Sequence, residues 1–180
     1  MRGMTIVRMP RHRVIALGPL VIWLLALVFA CAGAYAKEPA TAGVDIGGEI
    51  VAHEHLTLAD LAKLPHVKVH ASAHGVEGDF DGVPLIEILR AAGAPTGETL
   101  RGPALALYVR ITAADGYRAV FALAELDPST GAREAILADR KDGKPLDEKD
   151  GPLRIIVPDD KRPARWVRQV TAIDVLRAPE

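Results

Sequence analysis

The sequence predicts a mixed α+β fold, and three observations lead there. Short runs of alternating or continuously apolar residues outnumber runs with helical periodicity. The regular strand-helix-strand alternation that builds a parallel sheet is missing. Aspartate-glycine pairs at Asp115-Gly116 and Asp142-Gly143 sit between strand-like runs, where they favour tight turns and hairpins.

The first 36 residues read as a leader rather than part of that fold. Arg2, Arg8, Arg11 and Arg13 precede a run without charge from Val14 to Ala36, and Ala34-Tyr35-Ala36 places small residues where a signal peptidase reads. The pattern predicts a secretory signal cleaved near Ala36 and a periplasmic or secreted product. The arginines are not adjacent, so twin-arginine export is not supported and export before folding is expected. Two alternatives stay open: retention of the apolar run as a membrane anchor, since about 20 apolar residues span a bilayer, and lipidation at Cys31 in Val28-Phe29-Ala30-Cys31.

Residues 37–48, rich in Ala, Gly and Pro, read as a tether, and residues 49–180 as one domain opening with a short strand at 49–52. Thr57 followed by Asp60 reads as an N-cap with an acid three residues on, opening a short helix with Leu58, Leu61, Ala62 and Leu64 on one face, and Pro65 ends it. Residues 66–74 alternate, with Val67, Val69, Ala71 and Ala73 on one side and His66, Lys68, His70, Ser72 and His74 on the other, which is a strand with one buried face. Three glycines and three acids make 75–82 a turn or mobile loop. Pro84 opens a helix over 85–92 that Gly93 stops. Residues 104–113 form an apolar strand, turned by Asp115-Gly116 into a partner at 117–122. A helical turn at 123–126, strands at 134–138 and 153–157, a basic loop at 159–165 between Pro158 and Pro163, and a last strand at 170–176 complete the chain.

Removing the leader takes away four arginines and no acid, so the net charge moves from −1 to −5. A mildly acidic domain offers no electrostatic footprint for nucleic acid. Without Cys31 no disulfide, thiolate nucleophile or thiolate metal ligand remains. Dinucleotide, P-loop and CxxC signatures are absent, and an aromatic content of 4% disfavours a carbohydrate-stacking platform.

Four segments carry a resemblance. They are L-A-D-L-A-K-L-P-H-V-K-V, G-V-P-L-I-E-I-L-R-A-A-G, D-G-Y-R-A-V-F-A-L-A-E-L, and the closing stretch from Asp142 to Val175 with D-G-P-L-R-I-I-V-P and R-W-V-R-Q-V-T-A-I-D-V. In this order the chain resembles the molybdopterin-binding domain of sulfite-oxidase-type oxidoreductases, as a short stand-alone version of it. The resemblance implies an α+β domain with mixed sheets and short helices, a pterin held between loops, and molybdopterin as cofactor. It implies a role for Tyr117 near a substrate oxyanion, and for Arg165, before Trp166, at the pterin. Arg165 with Lys161, Arg162 and Arg168 makes a basic loop suited to a phosphate or anionic pterin edge. The family's molybdenum-ligating cysteine follows the strand before the G-V-P-L helix, and here His70, Ala71, Ser72 and His74 fill that neighbourhood without sulfur. Oxo-transfer of the usual kind is then not expected, while His70, Ser72 and His74 stand as candidate cofactor-binding residues. The expected ligand is a small anion or pterin, and an envelope protein partner is the alternative for a domain that kept the fold and lost the cofactor.

Other chemistry reads more weakly. His70 and His74 on one strand stand about 13 Å apart, too far to share an ion, so no metal site is assigned to them or to His53, His55 and His66. Ser72 has histidines on both sides along its face but no glycine elbow. Tyr117, Arg165 and Arg168 also read as an ordinary strand tyrosine and a solvated loop.

Overall fold

The computed structural model describes residues 42–179. The leader and the first part of the tether lie outside them. Two sheets share one buried core. The first has strand order β2-β1-β10-β5-β6, from β1 (Gly43–Gly48), β2 (Glu54–Thr57), β5 (Leu107–Ala113), β6 (Arg118–Ala122) and β10 (Val170–Arg177). The second runs β3-β4-β7-β8, from β3 (Val67–Ala73), β4 (Val76–Pro84), β7 (Ile136–Lys141) and β8 (Lys144–Pro145), with β9 (Arg154–Ile156) also on β7. Among the described residues only β1 and β10 pair in parallel; the other ladders are antiparallel. Among the described residues three short α-helices complete it: α1 (Leu58–Leu61), α2 (Leu85–Ala91) and α3 (Leu123–Leu126). The mixed sheets and short helices are the fold class read from the sequence.

Alternation explains most of this. Val44 and Ile46, Val109 and Ile111, and Ile173 and Val175 point inward from the first sheet, while Val69, Phe80, Leu137 and Ile155 do so from the second. Helix α2 adds Leu85, Ile88 and Leu89, all fully buried, and Gly93 at φ +83° ends it as a left-handed stop. Helix α1 is capped as the sequence suggested. Asp60 N–H donates to Thr57 Oγ1 at 3.2 Å, and Thr57 Oγ1 donates to Asp60 Oδ2 at 2.6 Å. The Lys63 ammonium, then the Thr57 hydroxyl and N–H, pull the Asp60 carboxyl down to about 2.

Three elements differ from the sequence reading. The segment expected to be tether carries β1 from Gly43 onward, and residues 49–52, expected as a strand, form a bend. Glycines at 43, 47 and 48 hid the Val44/Ile46 alternation, and Gly48, at φ +91°, has no room for a Cβ against the Val175 carbonyl. Residues 75–82, expected as loop, belong to β4 apart from the tight turn at Gly75. The acids Glu77, Asp79 and Asp81 are the outward row of a strand opposite Ser72, His70 and Lys68. Gly82 sits where a Cβ would strike the Leu137 backbone at the bulge between β4 and β7. The strand expected at 104–113 begins at Leu107, because Gly102–Ala106 form a 3-10 turn.

Candidate functional site

The β5–β6 hairpin sets Tyr117. Gly116, at φ +84°, takes the left-handed position of the turn, and Tyr117 N–H donates to Asp115 Oδ1 at 2.9 Å. The ring thus leaves the hairpin toward the loop after β9. There Tyr117 Oη donates to the Ala164 carbonyl at 2.7 Å, within the 3-10 turn Pro163–Arg165. Tyr117 is 50% exposed, so part of the residue stays open to a ligand. With its proton given to Ala164, the phenol oxygen can accept a hydrogen bond from a ligand while staying fixed.

Trp166 fixes the floor. It is buried, its Nε1–H donates to the Val157 carbonyl at 2.9 Å, and it meets Phe80 edge-on at 6.1 Å. Between hairpin and loop lies a cleft of about 410 Å3, lined by Ala113, Asp115, Tyr117, Lys149, Pro163, Ala164, Trp166, Val167, Arg168 and Gln169. That volume lies in the range of small-ligand sites. Gln169 takes φ +48°, and its side chain donates to the Glu148 carbonyl at 2.8 Å, drawing the loop that carries Lys149 against the cleft.

The lining of the cleft holds two cations, Lys149 and Arg168, and one acid, Asp115, whose carboxylate already accepts from Tyr117 N–H. Lys149 and Arg168 form no ion pair among the described residues. Behind Trp166 lies buried Arg154, paired with Asp150, its guanidinium 5.9 Å from the indole centre and its Nε without a hydrogen bond. Burial holds Arg154 below the ordinary arginine range; Asp150 opposes this and the charge of Arg168 adds to it. An anion beside Arg168 would relieve that repulsion.

The structure brings Tyr117 and Arg168 to one cleft and sends Arg165 the other way. Its Nε and Nη2 donate to Asp160 at 2.9 and 2.7 Å, its Nη1 to Glu125 at 3.0 Å, and its guanidinium lies 4.5 Å over Phe121. The Asp160 hydrogen bonds raise its pKa above the ordinary value, and Glu125 adds to this. Arg165 therefore clamps the cleft's loop to α3. His70, Ser72 and His74 lie on or just beyond β3, in the second sheet, and line none of the clefts described here. His70 Nδ1–H donates to Asp79 Oδ1 at 2.9 Å and the ring lies 3.6 Å from Glu77, and the Asp79 hydrogen bond raises its pKa. His74 sits at φ +49° in the β3–β4 turn. Among the described residues, no three His, Cys, Asp or Glu side chains gather as metal ligands. Lys149 and Gln169 were missed from the sequence: Lys149 sits in a charged run that reads as a solvated turn, and a glutamine before a strand carries no signal.

Comparisons with known proteins agree with this fold. The family model described as the oxidoreductase molybdopterin binding domain matches residues 32–180. Among solved structures, the sulfane dehydrogenase SoxCD from Paracoccus pantotrophus superposes with a TM-score of 0.61 at 19% identity, over 74% of this chain and 38% of that one. This chain thus spans well under half of that protein, and the likeness is one of fold. Among curated proteins none matches.

Proposed function

Because the chain belongs to the oxidoreductase molybdopterin-binding domain family, we propose that it is an exported domain whose Tyr117 cleft binds a pterin cofactor or small anion. The observation that carries this reading is the cleft with Lys149 and Arg168 unpaired at its wall, in a domain that is otherwise acidic. An arginine and a lysine in a partly enclosed site suit a phosphate, one as a planar fork and the other as a point charge.

The residues present fit part of molybdopterin. Its phosphate would be held by Arg168 and Lys149, with Tyr117 as a fixed acceptor for an N–H of the ligand and the loop before Trp166 as a wall. When bound, such a cofactor supplies redox chemistry at the metal it carries, while the protein supplies binding and orientation. The donor set does not fit thiolate ligation of that metal: residues 42–179 contain no cysteine, and Cys31 precedes the family match. Catalysis by a thiolate-ligated molybdenum centre is therefore no part of the reading. The same absence favours a second reading, a non-catalytic module that serves an envelope protein partner with the cofactor lost.

One preparation separates them. The protein is purified from a host that makes molybdopterin, then assayed for pterin fluorescence after denaturation and for molybdenum. Pterin near one equivalent, reduced severalfold in Arg168→Ala, supports the cofactor reading; absence of both pterin and molybdenum overturns it in favour of the module. Export rests on the leader pattern up to Ala36, and the first residue of periplasmic protein, expected to be Lys37, tests it.

A further inference from the structure

A second cleft of about 420 Å3 adjoins the first, and its chemistry is opposite. Gln169 lines both, and Ala113 and Ala114 divide between them along the same chain. Where the first cleft presents Lys149 and Arg168, the second presents Asp45 and His55. These two stand directly across from one another in the β1–β2 ladder, with His55 Nδ1 2.7 Å from Asp45 Oδ1. Asp45 Oδ2 has no hydrogen bond among the described residues, so one carboxylate oxygen is left to accept from a ligand.

The pair is seated by backbone. A Cβ at Gly43 would fall 2.7 Å from His55 Nε2 and would also strike the Leu56 carbonyl, so the ring rests where only glycine leaves room. The remaining wall mixes small apolar residues, among them Ala114 and Pro152, with Gln169 and Thr171.

We propose that the Asp45–His55 cleft is a second binding site, for an organic cation or amidine-like N–H donor with a flat apolar body. A planar N–H pair matches a carboxylate that His55 holds in orientation, and a flat body lies against the exposed Ala114 and Pro152. The site adjoins the anion cleft across Gln169, and only this adjacency rests on the function proposed above.

Benzamidine is the probe, with inorganic phosphate for the first cleft and benzoate as the charge-reversed control. Amide chemical shifts of the purified protein are followed on titration. Benzamidine is expected to saturate and to move Gly43, Asp45, His55 and Thr171, while benzoate leaves them in place. Asp45→Asn, at a position whose side chain is 73% exposed, weakens benzamidine about tenfold, as loss of one charge-assisted bond implies, and leaves phosphate binding unchanged. Gly43→Ala, which displaces the imidazole, weakens it severalfold. Unaltered benzamidine binding by Asp45→Asn, or shifts confined to Tyr117 and Arg168, overturns the proposal. If phosphate fails to bind wild-type protein, the anion-cleft reading falls, and the benzamidine result still decides this one.

Discussion

Arg165, a clamp, lies three residues from Arg168, the ligand contact proposed above, and Arg165→Ala and Arg168→Ala should fail in opposite ways. The Arg165 side chain is 27% exposed, that of Asp160 14% and that of Glu125 30%. The bonds lie between a surface pair, worth about 0–1 kcal/mol, and a buried one whose breakage costs about 3–5 kcal/mol. Arg133 softens the loss, since its guanidinium stays 3.5 Å from Asp160 and 3.3 Å from Glu125. Stacking on Phe121 adds roughly 1 kcal/mol. Together Arg165→Ala should cost about 2–3 kcal/mol, a fall in melting temperature of about 6–12 °C for a domain of this size. Arg165→Lys should recover less than half, because an ammonium cannot bridge Asp160 and Glu125 as the fork does. Arg168→Ala, exposed and unpaired, should change stability by about 0.5 kcal/mol at most and weaken phosphate binding about tenfold. Differential scanning fluorimetry and calorimetric phosphate titration of both variants decide it. Full stability with lost phosphate binding in Arg165→Ala would refute the clamp.

Three further outcomes follow from the packing. Asp127 is 1% exposed and accepts from the Ser129 hydroxyl and from Ser129 and Gly97 N–H at 2.8 Å each; the Ser129 hydroxyl first, then these N–H groups, hold its pKa below 3.8 against burial. Its stabilisation is present above that ordinary value and lost as pH falls through the lower folded one, so Asp127→Asn should cost about 1–3 kcal/mol near neutrality and flatten the acid limb of a pH-dependent denaturation series. His70 should titrate above 6.5 by NMR because of Asp79, and in Asp79→Asn its value should return toward 6.5; its contribution to the β3–β4 hairpin is present below 6.5 and fades as pH rises through the folded value. Gly82→Ala should destabilise by roughly 2–4 kcal/mol in urea denaturation, since the added methyl meets the β7 backbone rather than a flexible side chain; an unchanged midpoint would contradict the close approach.

Legibility followed burial and its periodicity. β3, α2, the β5–β6 hairpin and β10 announce themselves because Val69, Ile88, Ile111 and Ile173 recur at the spacing their element requires. β1 and β4 were hidden for one reason: Gly43, Gly48 and Gly82 are demanded by close backbone contacts, yet in sequence they read as turns. An aspartate-glycine turn and a basic loop make Tyr117 and Arg168 readable as candidates, and both line one cleft. Which way Arg165 turns is not readable, because Glu125 lies 40 residues away and nothing local selects it as partner. Lys149 sits on a loop that Gln169 ties twice, side chain to the Glu148 carbonyl and N–H to the Asp150 carbonyl, and no local pattern encodes these long-range bonds.

The most direct test is the pterin content of protein made where molybdopterin is available, wild type beside Arg168→Ala. Pterin near one equivalent is expected in the wild type, with a severalfold loss in a variant that melts at the same temperature. Equal pterin in both proteins, or none in the wild type, would contradict the placement of the ligand between Lys149, Arg168 and Tyr117.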